Sequence, residues 1–178
     1  MVTTADAVII GAGIVGSSTA LELSRRGVDV LVVDKAGGAG MRSTSASSAI
    51  IRFNHSTWEG VAASWESKFR WEEWEDYLGY RDLNGLARFH RCGKILLDVP
   101  FIPRERMTAL FDRAGTPYEV WDADMLAKRV SGIDTGCFFP PKRVVSDEFF
   151  DDPHGHLGAL YTPDGTVKSA HSTCRHNR

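Results

Sequence analysis

The sequence has little cysteine: Cys92, Cys137 and Cys174, three in 178 residues, widely spaced and without a CxxC pair. An odd, scattered set argues against a disulfide framework and against structural zinc, and it fits a reducing cytoplasm. Long apolar runs are missing too. The longest, such as Ala7–Ile10 and Val30–Val33, are strand-sized and far too short to span a bilayer. The opening MVTTAD lacks the basic start and apolar stretch of a signal peptide. These absences predict a soluble, cytoplasmic protein with no membrane partner. No charge of one sign dominates. The net charge is −2 and the pI about 6.3, with Lys and Arg scattered, so no nucleic-acid partner is expected. His154 and His156 merely flank Gly155 in a turn, and no Cys, His or acid cluster has ligand spacing, so no metal is expected either. No internal repeat is present.

What is present is ordinary globular material. Hydrophobic residues make up 43% and charged residues 25%, enough apolar content to bury a core. The clearest segment comes first. Ala7-Val8-Ile9-Ile10 reads as a fully buried parallel strand, and GAGIVG follows at once. In SSTALELSRRG, Val15, Ala20 and Leu23 have the spacing of a helix face, and Gly27 is placed to stop the helix. Val28 to Val33 is a second apolar run, broken by Asp29 and ended by Asp34.

A lone GxGxxG is weak evidence, but strand, helix, second strand and acid give this one its context. Gly11 allows the tight turn, Gly13 lets a diphosphate near the backbone, and Gly16 lets helix and strand pack closely. Ala12, Ile14 and Val15 complete the turn that faces the phosphates. The helix N-terminus offers unpaired N–H groups and partial positive charge. Asp34, with Lys35 beside it, stands where a carboxylate accepts hydrogen bonds from an adenosine ribose. It would repel a 2′-phosphate, which disfavours NADP. The fingerprint predicts a dinucleotide site and does not separate FAD from NAD.

After the loop AGGAGM comes RSTSASSAIIR, residues 42–52. By itself this is either a solvated polar linker or a binding segment. Together with VIIGAGIVGSSTALELSRRGVDVLVVDK, it resembles the N-terminus of FAD-dependent amine and amino-acid oxidoreductases. This is the D-amino-acid oxidase-like superfamily, which includes sarcosine oxidase, glycine oxidase and dimethylglycine dehydrogenase. The resemblance continues more loosely through GKILLD and YEVWDADMLAKRV into GALYTPDG.

The resemblance implies an α/β fold: an incomplete Rossmann-like FAD-binding domain followed by the start of an α+β substrate domain. It places Arg42, Ser43, Thr44 and Ser45 near the phosphate and ribityl region, and Ser48 to Ile51 towards the flavin ring. A second helix N-terminus with Ser and Thr hydroxyls would supply the donors. In sarcosine oxidase the arginine of the IIR motif binds the substrate carboxylate, which gives Arg52 that role; the other reading is a surface or ion-paired arginine. Basic residues beside the flavin of sarcosine oxidase are replaced by Ser45 and Ala49, and a tyrosine by His55. The implied cofactor is FAD and the implied substrate a small amine or amino acid. No residue of this chain is assigned a catalytic role.

Further along, residues 60–78 read as an amphipathic helix whose aromatics pack on the core or form a substrate cage. Gly93 to Val99 reads as a strand, Pro103 to Ala114 as a helix, and Tyr118 to Trp121 as a strand. Asp122 to Arg129 reads as a short helix capped by Asp122. The expected domains are residues 1–90 for the cofactor, 91–165 for the start of the substrate domain, and an irregular tail over 166–178 outside the resemblance. Family members are much longer, so the sequence reads as a fragment or as one piece of a split enzyme, with a second chain supplying the C-terminal half. That reading predicts weak flavin retention, poor solubility and little activity alone. Two other classes stay open: an NAD-linked Rossmann dehydrogenase, and a non-catalytic remnant or subunit.

Overall fold

The structure is a computed structural model and describes residues 4–80 and 85–168. Cys174 and the rest of the expected tail from residue 169 onward lie outside the described residues. The chain divides into two compact units, residues 1–48 and 49–178. The boundary expected near residue 90 falls inside the second unit.

The first unit is a strand–helix–strand. Strand β1 (Ala7–Ile10) pairs in parallel with β2 (Val30–Val33), Ala7 opposite Val30 and Ile10 opposite Val33. Helix α1 (Ile14–Ser24) links them. It ends as the sequence predicts. The Gly27 N–H reaches Ser24 O at 3.0 Å and the Val28 N–H reaches Leu23 O at 3.2 Å. These are the two bonds of a Schellman turn, and Gly27 at φ +80° takes its left-handed position. This unit leaves much apolar surface uncovered: Val8 is 58%, Ile10 88% and Val15 78% exposed.

The second unit holds two antiparallel sheets, whose short elements begin with β3 (Ile50–Ile51). Helices α2 (Trp58–Glu72) and α3 (Trp74–Leu78) follow. Next come β4 (Arg88–Arg91), β5 (Lys94–Leu97) and helix α4 (Arg104–Ala114). Strand β6 (Glu119–Trp121) leads into helix α5 (Ala123–Arg129). The described part closes with β7 (Ala159–Thr162) and β8 (Gly165–Lys168). One sheet has the order β3-β8-β4 and the other β5-β7-β6. Thr166, Val167 and Lys168, expected in an irregular tail, form most of β8.

The continuous apolar run of β5 has a direct cause. Successive side chains on a strand point to opposite faces. Leu96 and Leu160 join a core with Phe53, Val61 and Phe111, which α2 and α4 help to build. Ile95, Leu97, Ala159 and Tyr161 lie on the other face with Trp121 and Leu126 of α5. The sheet is buried on both sides, so neither face needs polar residues. Asp122 caps α5 as expected, accepting from the Met125 N–H at 2.7 Å.

The single helix expected over 60–78 is two. Glu73 leaves helical geometry at φ −112°, ψ 42° and separates α2 from α3. The aromatics divide accordingly. Trp65 packs edge-on to Phe53 at 5.2 Å and belongs to the core. Trp71 stacks on Trp74 at 4.5 Å, and both line an open cleft of about 360 Å³ with Glu72, Arg88 and Phe89.

Candidate functional site

The glycine turn is built by close approach. A side chain at Gly16 would put its Cβ 1.9 Å from Gly11 O, so only glycine lets α1 start this near the end of β1. Gly11 itself sits at φ +108°, with open space where a side chain would be. Its N–H donates to Val33 O at 2.7 Å, which ties the turn to the end of β2.

Asp34 also closes the turn, a role that the sequence reading does not assign to it. Its Oδ2 accepts from the Ala12 N–H at 2.7 Å, and its Oδ1 accepts from the Ala36 N–H at 2.7 Å. These two bonds, Ala36 first and Ala12 second, hold its carboxyl below the ordinary range, so it stays ionised. A carboxylate has about four lone-pair sites, so two engaged oxygens keep acceptor capacity for ribose hydroxyls.

The segment 42–48 corrects the expected second helix. Residues 39–46 form consecutive turns, not a helix. The Ser45 hydroxyl donates to Arg42 O at 2.8 Å, a local bond of the kind that competes with helix formation. The Thr44 hydroxyl oxygen accepts from the Ile14 N–H at 3.0 Å and so caps α1 from another loop. The Gly40 N–H donates to Ala12 O at 2.8 Å. The loop is thus sewn to the glycine turn at two points. Lys35, Arg42, Ser43, Ser45 and Ser48 are exposed, as is Val15, while Ala12 and Gly13 are half-buried. Beyond Ile14, which Thr44 caps, the first turn of α1 presents N–H groups without intrahelical acceptors, next to open space at Gly11, whereas the face of Gly13 meets Thr44 Oγ1, 3.2 Å from where a Cβ would be. That arrangement suits a phosphate-bearing ligand.

The second unit carries the other sequence candidates. Arg52 follows β3, is exposed, and forms no ion pair among the described residues. His55 turns to α2, where its Nε2 lies 2.8 Å from Ser64 Oγ. Sequence reasoning missed three residues tied to the segment that follows Arg52: Asn54, Lys94 and Asp164. Asp164 is 1% exposed, and its Oδ2 accepts from the Phe53 N–H at 3.0 Å. Lys94 hydrogen-bonds Asn54 Oδ1. The signal for Lys94 is a cation at the head of an apolar strand. Asp164, within TPDG, looks like a simple turn residue.

A parallel strand–helix–strand with a GxGxxG turn and an acid after the second strand defines a Rossmann-type dinucleotide-binding unit. The chain belongs to the family described as DAO, FAD dependent oxidoreductase, which matches residues 6–177. The match takes in residues 166–177, which the sequence places outside the family resemblance. No curated protein matches the chain.

Solved structures do. L-proline dehydrogenase from P. horikoshii is 20% identical with a TM-score of 0.67; the match covers 98% of this chain and 41% of that one. L-amino acid deaminase from Proteus vulgaris is 20% identical at TM-score 0.63, covering 94% and 35%. Glycine oxidase from Bacillus cereus is 20% identical at TM-score 0.55, covering 96% and 42%. The chain therefore spans about two-fifths of the length of these structures. Among the described residues no helix is long and apolar enough to cross a membrane, and no group of three or more His, Cys, Asp or Glu has a metal-holding arrangement.

Proposed function

We propose that the chain is the FAD-binding portion of an oxidoreductase that acts on the C–N bond of an amino acid or N-methylated amine. The observation that carries this reading is the glycine turn: Gly16 packed against Gly11 O, with Asp34 and Thr44 bonded to the N–H groups of Ala12 and Ile14. Family membership favours FAD over NAD as the dinucleotide. Gly11, Gly13, Gly16 and the first-turn amides of α1 that Thr44 leaves open would receive the diphosphate, and Asp34 the ribose. Arg42, Ser43, Thr44, Ser45 and Ser48 would lie along the phosphate and ribityl region.

FAD, when bound, supplies the acceptor for a hydride from the carbon beside the substrate nitrogen, and water hydrolyses the resulting imine. Arg52 would hold the substrate carboxylate through its planar fork, which matches two carboxylate oxygens. It has no ion-pair partner among the described residues, which leaves that fork available. His55, tied to Ser64, would border the same substrate end. We further propose that other chain, in the same protein or in a second polypeptide, completes the first unit's sheet. Val8, Ile10 and Val33 there are 58%, 88% and 40% exposed, the kind of surface a neighbouring layer covers.

The test is reconstitution. The chain is purified alone and after co-expression with the product of the adjacent downstream reading frame, and bound flavin is read from its visible absorbance. Flavin retained more firmly in the co-expressed sample supports the reading. A stable monomer of the lone chain with stoichiometric FAD refutes the need for further chain. Binding of NAD without FAD in both samples refutes the cofactor.

A further inference from the structure

Strand β5 opens on a lysine. Lys94 heads an otherwise apolar strand and sits opposite Thr162 on β7. The connection from β7 to β8 carries Asp164, and this one residue fixes two pieces of backbone. Its Oδ2 accepts from the Phe53 N–H at 3.0 Å, immediately after Arg52. Its carbonyl accepts from the Gly93 N–H at 2.9 Å, immediately before Lys94. Its Oδ1 is buried with no hydrogen-bond partner.

The charges follow from that geometry. Burial pushes the Lys94 ammonium below its ordinary pKa, Asp164 acts in the opposite direction, and the Arg52 guanidinium adds to the lowering. The hydrogen bond from Lys94 goes to a neutral amide oxygen, Asn54 Oδ1. Lys94 thus feels both the buried Asp164 carboxylate and the Arg52 guanidinium, with no ion pair to Asp164, whose Oδ1 stays without a hydrogen bond, and two cations to one carboxylate leave a positive charge in excess. Such a set favours an anion.

We infer that Lys94 is a second carboxylate-positioning residue beside Arg52, set there by Asp164 and Asn54. The site would therefore take an amino acid through its carboxylate and discriminate against a simple amine. This rests on the proposed role of Arg52 in substrate binding. A lysine that served only to brace Asn54 would need a donor and no charge, and the two roles separate experimentally.

The probe is sodium propionate, with uncharged propionamide as control, titrated into the full chain. The side-chain resonance of Lys94, labelled at Cε with ¹³C, is followed by NMR. It is expected to move with propionate and not with propionamide. Lys94→Gln keeps a donor for Asn54 and removes the charge; it is expected to weaken propionate roughly ten-fold, and Lys94→Arg to restore most of the loss. Arg52→Met should weaken binding as well. If Arg52→Met abolishes binding while Lys94→Gln binds like the parent, Arg52 keeps its role and the inference about Lys94 is overturned. If neither substitution changes binding, both are overturned. A Lys94 resonance in the parent chain that stays fixed while propionate binds overturns the inference without any variant.

Discussion

Gly16→Ala tests the turn most sharply, because the new methyl has nowhere to go. Its Cβ would lie 1.9 Å from Gly11 O, 3.1 Å from Gly11 C and 3.3 Å from Ile9 Cγ2. Two of the three obstacles are backbone, and they belong to the turn itself. Real Cβ contacts stay above 3.0 Å, so the Gly11 carbonyl would have to retreat by about 1 Å. That movement pulls on the Gly11 N–H bond to Val33 O, 2.7 Å long in the parent. Overpacking of this kind costs roughly 1–3 kcal/mol. If the strain falls on the bound form, FAD affinity drops roughly five-fold to a hundred-fold. The assay is an FAD titration followed by flavin fluorescence, with thermal unfolding run on the same samples. Gly37→Ala is the control, since a side chain there meets no heavy atom within 4 Å. Parent-like affinity and melting temperature in Gly16→Ala would refute the close-approach argument.

Thr44→Val keeps the shape of the side chain and removes the oxygen that accepts from Ile14. Loss of a cap costs roughly 0.5–2 kcal/mol, to be read as faster hydrogen exchange at the Ile14 amide and a lower urea midpoint. Asp34 predicts a pH dependence. Its pKa is lowered in the fold by the Ala36 and Ala12 amides, so its contribution is full above the ordinary value of 3.8 and is lost as pH falls through the lower folded value. Protection of the Ala12 and Ala36 amides should therefore persist somewhat below pH 3.8, and Asp34→Asn should remove that dependence. Phe53 is fully buried in the core of the second unit. Phe53→Ala should cost roughly 3–5 kcal/mol, measured as a loss of the cooperative unfolding transition or a large fall in its midpoint.

What can be read from the sequence is what is local. β1, the glycine turn, α1 and its Gly27 stop, and β2 all follow within one continuous stretch, so periodicity and turn chemistry suffice. β5, α4, β6 and α5 are legible for the same reason. β3 is not, because it is Ile50–Ile51 alone and its partner is Gly165–Thr166, more than a hundred positions away. β8 escapes with it, since pairing across that distance leaves no periodic trace. The stretch 42–48 reads as a helix start, yet Ser45 bonds back to Arg42 O and Thr44 reaches out to Ile14. Serine and threonine suit a cap and a turn equally well, and only the position of the acceptor decides. Arg52 is visible as a candidate. Its setting is not, because Lys94 and Asp164 come to it from segments roughly 40 and 110 positions further along the chain.

A paired titration of the purified chain with FAD and with NAD, followed by flavin fluorescence for one and calorimetry for both, decides the identity of the cofactor. FAD is expected to bind and NAD to bind far more weakly, with the FAD signal lost on desalting because the first unit's apolar faces stay uncovered. Tight NAD binding with no measurable FAD binding would contradict the assignment of this glycine turn to a flavin.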